Sequence, residues 1–222
     1  MDDYIVTDLD NRILFSDNHL LAVNKPGGIL TQCSGTKSFN LEDWSREWVR
    51  KEKKKSGAIY LHAVHRLDRQ VSGVVLFART SKALSRLNTS IKNNKCKKIY
   101  HAWVEGVPSK KEATLRDYLI HGHHRSEIVM KNTHQSKLAI LHYKLLRSEN
   151  NYSLLRVELV SGRYHQIRAQ LGALGHPIKG DSKYGANTCS NIISLHHKKL
   201  VIQHPVKLNV VTIEAPLTSL TK

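Results

Sequence analysis

A single carboxylate stands in a strongly basic part of the sequence. Residues 53–104 contain twelve lysines or arginines and one acid, Asp68. This aspartate lies two residues after Arg66 and directly before Arg69. Neighbouring cations favour the ionised form of a carboxylate, which suits it to act as a nucleophile or a general base. If residues 65–68 are extended, Arg66 and Asp68 lie on the same side of the chain. The alternative is an ordinary arginine–aspartate pair that fixes a loop.

A second basic group occurs at residues 161–168, where Arg163 and Arg168 follow a predicted strand and enter a predicted helix. The N-terminus of a helix presents free N–H groups that can bind an anion, and the two arginines add positive charge. Asp181 is the one acid in residues 159–213, which hold seven lysines or arginines. The alternative here is a capped helix with solvated arginines.

Hydrophobic periodicity predicts the elements that position these residues. Residues 73–78 are continuously apolar, which is typical of a central strand buried on both faces. Amphipathic patterns predict helices at about residues 40–55, from an N-cap at Ser81 to about residue 91, and near residues 165–175. Further strands are predicted at residues 20–23, 99–104, 138–146, 154–160 and 210–213. Because strands outnumber helices and do not alternate with them, we expect an α+β fold with a mixed, mainly antiparallel sheet.

The composition indicates a polyanionic partner. The chain of 222 residues has 35 lysines and arginines against 18 acids, a formal net charge of +17, and such a field attracts nucleic acid. Three widely spaced cysteines without a C-x-x-C pair fit free thiols in a reducing compartment rather than a disulfide framework or zinc site. The acidic N-terminus and the lack of a long apolar run predict a cytoplasmic protein without a membrane partner. We expect one catalytic domain over residues 12–216, between an acidic tail of residues 1–11 and a C-terminal tail of residues 217–222.

Four stretches of the chain, in this order, resemble the motifs of the RluA-type family of RNA pseudouridine synthases. They are Asn-Lys-Pro-Gly-Gly at 24–28, His-Arg-Leu-Asp with the later Ser-Gly at 65–73, Lys-Ile-Tyr-His-Ala-Trp-Val-Glu-Gly at 98–106, and Gly-Arg-Tyr-His-Gln-Ile-Arg at 162–168 with its continuation to Gly185. His-Arg-Leu-Asp alone recurs by chance. The ordered set, which extends over about residues 12–216, is specific.

The resemblance implies an enzyme that isomerises chosen uridines of ribosomal or transfer RNA to pseudouridine, without a cofactor or a metal. It implies a central RNA-binding cleft in which Asp68 is the essential catalytic residue, Tyr100 packs against the target base, and Arg168 pairs with Asp68. The residues implied to contact the RNA are Arg66, Arg163, His165 and Gln166. Asp68 would either attack the sugar or the base, or remove the C2′ proton, and the sequence is compatible with both mechanisms. We expect a monomer.

Two positions depart from the pattern of many family members. Val71 stands where many have threonine, and Tyr164 stands where many have serine or threonine. The bulkier Tyr164 is expected to reshape the rim of the pocket. We also expect a short form that lacks the small N-terminal S4-like RNA-binding domain, so that target choice depends on the catalytic domain.

Two other classes of protein compete with this interpretation. One is an RNA-binding module that has kept the fold without catalysis, although binding alone does not require a carboxylate in a basic cleft. The other is a metal-dependent nuclease, suggested by the histidines of residues 121–124. These histidines have no acids at ligand spacing and belong to no H-E-x-x-H motif, so we expect them on an exposed loop.

Overall fold

A computed structural model of the chain describes residues 9–35, 38–54 and 56–217, which form two compact units. The first unit contains the residues up to Cys96 together with Lys199–Pro216, and the second contains Lys97–Lys198. The predicted domain of residues 12–216 includes both. Most of the two predicted tails, residues 1–8 and 218–222, lies outside the described residues. The end of the N-terminal tail is packed, because Leu9 is buried and Asp10 accepts a hydrogen bond from the indole of Trp48.

The described residues form eleven strands and three α-helices, with short 3-10 turns at Asp10–Arg12 and Ser182–Tyr184. The strands are β1 (Ile13–Ser16), β2 (Leu20–Lys25), β3 (His62–Ala63), β4 (Ser72–Ala78), β5 (Lys97–Glu105), β6 (Glu112–His121), β7 (Ser126–Val129), β8 (Lys137–Glu149), β9 (Tyr152–Leu159), β10 (Leu195–Gln203) and β11 (Val210–Glu214). The helices are α1 (Leu41–Glu52), α2 (Ser81–Lys92) and α3 (Gln166–Ala173). Among the described residues, every helix is too short or too polar to cross a lipid bilayer.

The first unit is built on β2 and β4, in both of which every residue is buried. They pair antiparallel, and β1 and β3 add antiparallel pairings at their sides. Ala83 and Leu87 of α2 pack into the same core, and burying one such leucine contributes about 1.5–3 kcal/mol. The continuous apolar run of residues 73–78 therefore predicted a central strand correctly.

The helix ends differ slightly from the prediction. The side chain of Thr80, not of Ser81, accepts the N–H of Ala83 at 3.2 Å, so Thr80 is the N-cap of α2 and Ser81 is its first residue. Both residue types can cap, and the extended backbone of Thr80 decides between them. The first helix is capped by Asn40 and ends at Glu52, three residues earlier than predicted.

The second unit contains the antiparallel strands β5, β9, β8, β6 and β7 in that spatial order. Helix α3 packs on one face of this sheet, where Ala169 contacts Leu119 and Ala139. Since side chains alternate along a strand, the cross-strand registers place Tyr100 on the same face as Ala139 and place His101 on the opposite face. The antiparallel pairings in both units confirm the predicted α+β class with a mainly antiparallel sheet.

Candidate active site

Asp68 lies half-buried on the loop between β3 and β4. The backbone before it is fixed by Thr31, whose hydroxyl donates to the carbonyl of Leu67 at 3.0 Å and accepts the N–H of Leu67 at 3.1 Å. The backbone after it forms a tight turn, in which the N–H of Val71 donates to the carbonyl of Asp68 at 3.1 Å. The loop thus holds the aspartate at a defined position, as a catalytic side chain requires.

A buried lysine supports the other side of this loop. The ammonium of Lys25 donates to the carbonyls of Pro26 at 3.0 Å, Ile29 at 2.8 Å and Arg69 at 3.1 Å. Burial lowers the pKa of Lys25 to about 7, an effect that the charge of Asp68 opposes and that of Arg69 adds to. Lys25 therefore links the turn after β2 to Arg69, the residue that follows Asp68. This supporting role was not predicted. A lysine at the end of a mostly apolar strand is the sequence signal that could have indicated it.

The two arginines beside Asp68 are exposed. Arg69 is held in place, since its Nε donates to the carbonyl of Gly28 at 2.8 Å. Arg66 extends from the loop into solvent, directly after His65, whose Nε2 accepts the N–H of Leu76 at 3.2 Å. An exposed guanidinium there is available to an RNA phosphate, and the predicted contact of Arg66 with the nucleotide stays a prediction.

Tyr100 lies on β5 with only 7% of its surface exposed. Its ring stacks on the imidazole of His197, with the ring centroids 4.5 Å apart and the planes 16° from parallel. The stacking fixes the orientation of the tyrosine ring. A rigid aromatic face of this kind is suited to hold a flat base, which is the role predicted for Tyr100.

Arg168 is buried in α3 and forms a two-pronged ion pair that was not predicted. Its Nε and Nη2 donate to the two carboxylate oxygens of Asp181, each at 2.7 Å, and both side chains are at most 3% exposed. Such bidentate pairs fix the plane of the guanidinium. Asp68 and Arg168 belong to different units, and their predicted pairing stays a prediction.

His165 connects this arginine to Tyr184. His165 Nε2 lies 3.0 Å from Arg168 Nη1 and must accept, because a guanidinium has donors only. The proton of the neutral ring is therefore on Nδ1, which donates to the hydroxyl of Tyr184 at 2.9 Å. Burial, followed by the charges of Arg168 and Lys183, lowers the pKa of His165 to about 3, so the ring is neutral at physiological pH. His165 was predicted to contact RNA, and the observed bonds make it in addition a positioning residue for Arg168.

Arg163 lies in the turn before α3, and Gln166 is the first residue of the helix. Gln166 is buried, and its side-chain oxygen accepts from the hydroxyl of Ser161 at 2.9 Å and from the N–H of Arg163 at 3.0 Å. Its amide nitrogen donates to the carbonyl of Ile140 at 3.1 Å. Arg163 is exposed, with its Nε bonded to the carbonyl of Leu138 at 3.1 Å. Gln166 thus shapes the turn from inside, while Arg163 presents charge at the surface.

The histidines of residues 121–124 lie where β6 turns into β7, and each of the three is exposed. No group of three or more histidine, cysteine or acidic side chains in residues 9–35, 38–54 and 56–217 is placed to hold a metal ion.

Comparison with known proteins identifies the class of enzyme. Residues 19–173 match the family model of RNA pseudouridylate synthases. An uncharacterised RNA pseudouridine synthase of Bacillus subtilis is 34% identical, over 92% of this chain and 68% of that protein. The ribosomal large subunit pseudouridine synthases C of Rickettsia prowazekii and Escherichia coli are each 33% identical, over 94% and 96% of this chain and 69% and 68% of their own length.

Two solved structures share the fold. The human RNA pseudouridylate synthase domain containing 4 has a TM-score of 0.80 at 19% identity, covering 96% of this chain and 91% of that one. The human RNA pseudouridylate synthase domain containing 1 has a TM-score of 0.75 at 20% identity, covering 95% of this chain and 84% of that one. The chain belongs to the family of RNA pseudouridylate synthases. The predicted activity, isomerisation of uridine to pseudouridine in RNA, is thereby confirmed.

Replacing His165 tests its effect on Arg168. The residue has a φ of 50°, which asparagine tolerates. In His165→Asn the amide can still donate to Tyr184 but is too short to accept from Arg168, and we expect the single-turnover rate at saturating RNA to fall about 10- to 100-fold. In His165→Gln the longer side chain can accept from Arg168, and we expect a rate closer to wild type despite a backbone strain of about 1 kcal/mol.

The control for this pair is Tyr184→Phe, which removes the partner of Nδ1 and leaves the acceptor for Arg168. We expect it to reduce stability more than the rate. Equal rates for His165→Asn and His165→Gln would contradict the positioning role of Nε2.

Proposed function

We propose that this enzyme isomerises uridine in ribosomal RNA, with Asp68 as its catalytic carboxylate. The observation that carries the choice of RNA is the similarity to proteins named ribosomal large subunit pseudouridine synthase C, which are 33% identical over more than two thirds of their own length. Transfer RNA, the other substrate that the sequence predicts, is the alternative.

The reaction rearranges bonds without net gain or loss of atoms. The N1–C1′ bond breaks, the uracil turns, a C5–C1′ bond forms, the proton on C5 leaves, and N1 takes up a proton. Inside a stacked or paired region C1′ and C5 are shielded, so the nucleotide must first be extruded from the RNA. Single-stranded loops make this extrusion easiest.

Asp68 carries the first step in either of two mechanisms. As a nucleophile, a carboxylate oxygen bonds to the sugar or base, and a bond to C1′ would expel uracil through N1. As a base, the carboxylate removes the C2′ proton while the N1–C1′ bond breaks, and later returns it. Both mechanisms require an ionised and well-oriented carboxylate. The fixed loop around Asp68 and the positive charge of the nearby Lys25 support this assignment.

Tyr100 and Arg168 complete the proposed site. We assign to Tyr100 the support of the turning uracil, since its ring is held rigidly by His197. We assign to Arg168 the stabilisation of the charge on Asp68 during the reaction. Its pairing with Asp181 supports this role, because a guanidinium that is already oriented needs no reorganisation when charge moves in the transition state.

Tritium release from RNA tests the substrate assignment. Pseudouridine formation removes the hydrogen from C5, so a transcript made with 5-tritiated uridine releases tritium into water only when it is modified. We expect release from a transcript of large-subunit ribosomal RNA and none from unmodified transfer RNA transcripts. Release from transfer RNA alone would contradict the ribosomal assignment. Mapping of cellular pseudouridines with and without the gene then identifies the uridine.

A further inference from the structure

The solvent-facing side of α2 carries positive charge only. The helix contains Lys82, Arg86 and Lys92 and no acid, and the exposed Lys95 follows shortly after its end. Successive residues of a helix are about 100° apart, so the three helical cations lie within about 120° of one another, on the side away from the core. We refer to these four cations, with the exposed polar residues between them, as the α2 surface.

Helix α1, which also has twelve residues, shows a different arrangement of charge. It contains four acids and three cations, and Arg46 and Arg50 each pair with acids three or four residues earlier. Pairs at this spacing stabilise a helix, whereas like charges at the same spacing destabilise it. In α2, Lys82 and Arg86 are like charges four residues apart. Helix stability therefore does not account for the charge of α2, and a bound anion would.

Acids in the neighbouring elements leave this charge uncompensated. The carbonyl of Asp17 and the carboxylate of Glu52 both contact Arg79, just before the helix, and the carboxylate of Asp17 is hydrogen-bonded to His204 at 2.9 Å. Glu214 of β11 points away from α2, since the residues on either side of it pack into the core beneath the helix. Within residues 9–35, 38–54 and 56–217, no acid forms an ion pair with a cation of the α2 surface.

The rest of the α2 surface is polar. Its other exposed side chains include those of Ser85, Asn88, Thr89 and Asn93. Hydroxyl and amide groups of these types bind phosphate oxygens in complexes of proteins with nucleic acids. None of the large apolar side chains that are exposed in the described residues belongs to it. The surface therefore suits a polar, negatively charged partner rather than an apolar one.

One cation of the α2 surface is already held in place. Nη1 of Arg86 donates to the carbonyl of Pro205 at 2.6 Å, which links the helix to the turn between β10 and β11. A guanidinium has several N–H donors, and the side chain stays exposed, so donors remain for a ligand. Because the side chain is fixed before binding, less entropy is lost when it takes up a phosphate.

The helix runs back toward the loop of Asp68. Only Arg79 and Thr80 connect β4 to α2, and both elements contribute to one core, so the helix turns back along the strand. Asp68 precedes β4, and the C-terminal end of α2, with Lys92, therefore lies toward the Asp68 end of that strand. Lys82 lies about 15 Å farther along the helix. The α2 surface thus extends away from the catalytic loop.

We propose that the α2 surface binds the phosphodiester backbone of the substrate RNA, outside the nucleotide that is isomerised. The occupant is RNA because this enzyme acts on RNA, a polyanion, and because the surface presents cations, hydroxyls and amides without an acid. Such contacts are made to phosphates, so they hold the RNA without reading its sequence. The inference uses only the activity on RNA and is independent of the ribosomal assignment and of the role of Asp68.

The test is Lys82→Gln combined with Lys92→Gln. Glutamine forms helices about as well as lysine, so the fold should be kept. The ligand is a fluorescein-labelled RNA duplex that contains no uridine, and we expect its dissociation constant to rise about 5- to 30-fold in low salt. The slope of log affinity against log salt should become shallower by about 1.5 to 2, because two phosphates are no longer neutralised.

The matched control is Lys110→Gln combined with Lys144→Gln, which removes the same charge elsewhere. Both lysines are exposed, and Glu112 lies two residues after Lys110 and directly across from Lys144. A carboxylate this close repels phosphate, so these lysines should contribute little to RNA binding. We expect the salt slope of the control to stay within about half a unit of wild type.

Lysine acylation locates the bound RNA independently of affinity. A small acylating reagent modifies exposed amines, and a bound RNA backbone shields them. In the wild-type enzyme, we expect saturating duplex to slow the acylation of Lys82 and Lys92 several-fold, and to leave that of Lys110 and Lys144 nearly unchanged. Mass spectrometry of the digested protein measures each site.

Equal salt slopes for the two double variants would overturn the proposal, since RNA would then respond only to total charge. Equal shielding of the two pairs of lysines would also overturn it. Shielding of Lys82 and Lys92 that rises with enzyme concentration in the absence of RNA would replace it with an interface between copies of this chain. Because the duplex has no uridine to isomerise, a wrong assignment of Asp68 or of the substrate RNA would leave these results unaffected.

Discussion

Asp68→Asn is expected to reduce pseudouridine formation by about 10³- to 10⁵-fold, because the substitution removes the carboxylate that starts the reaction. Asparagine has nearly the same size as aspartate but is neither a comparable nucleophile nor a base. The loop that carries residue 68 is fixed by backbone contacts to Thr31 and Val71, which the substitution leaves intact. RNA affinity and the free energy of unfolding should therefore stay close to wild type.

The measurement is single-turnover tritium release at saturating RNA, with RNA binding measured separately. Glu127→Gln is a suitable control, since it makes the same carboxylate-to-amide change at an exposed position of β7. A variant at position 68 that kept a tenth of the wild-type rate would show that another group carries the reaction. Equal loss of binding and of rate would instead indicate a structural role for the aspartate.

Arg168→Ala is expected to lower the free energy of unfolding by about 3–5 kcal/mol, because it leaves the carboxylate of Asp181 buried without its cation. Domains of this kind are stable by only about 5–15 kcal/mol, so this loss is a large fraction of the total. Loss of activity in this variant alone would therefore not identify a catalytic role. Denaturant unfolding followed by tryptophan fluorescence gives the stability.

A double replacement separates the two roles of this arginine. Arg168→Met combined with Asp181→Leu removes both charges and leaves no buried ion, and we expect most of the lost stability to return. If Arg168 also stabilises Asp68 during the reaction, the double variant should fold and bind RNA but stay inactive. Wild-type activity in it would remove Arg168 from the catalytic site. A cost below about 1 kcal/mol for Arg168→Ala would contradict the buried ion pair.

The family and the central strand could both be predicted from the sequence. For the strand the reason is physical. The strand β4 is buried on both faces, so it must be apolar throughout, and few structures other than a central strand require such a short apolar run. The strands β1, β3, β6, β7 and β10 were missed. In the two longest of these, polar residues on both sides interrupt a simple apolar pattern, namely Glu112, Arg116 and Asp117 in β6 and the four consecutive residues 196–199 in β10. Register, which decides the face on which each residue lies, depends on partner strands far away in the sequence.

The environment of Arg168 shows what the site motifs leave open. The motif of residues 162–168 predicts an important arginine, but its buried partner Asp181 lies thirteen residues later, beyond the end of α3. Asp181 is the one acid in the basic segment of residues 159–213, which was a usable signal that it pairs with one of the cations there. Which cation that is depends on how the chain turns after the helix. The role of His165 as an acceptor likewise depends on its left-handed backbone conformation, which periodicity does not reveal.

The burial of Lys25 makes chemical modification of its side chain a reporter of the Asp68 loop. Its ammonium donates to three backbone carbonyls, those of Pro26, Ile29 and Arg69, so both the turn after β2 and the Asp68 loop must stay in place to satisfy it. The side chain is fully buried, so reagents in solution cannot reach it while the turn and the Asp68 loop are closed. Acylation at this position would therefore mark the moments when the loop opens, and an acetyl group added there would prevent it from closing again.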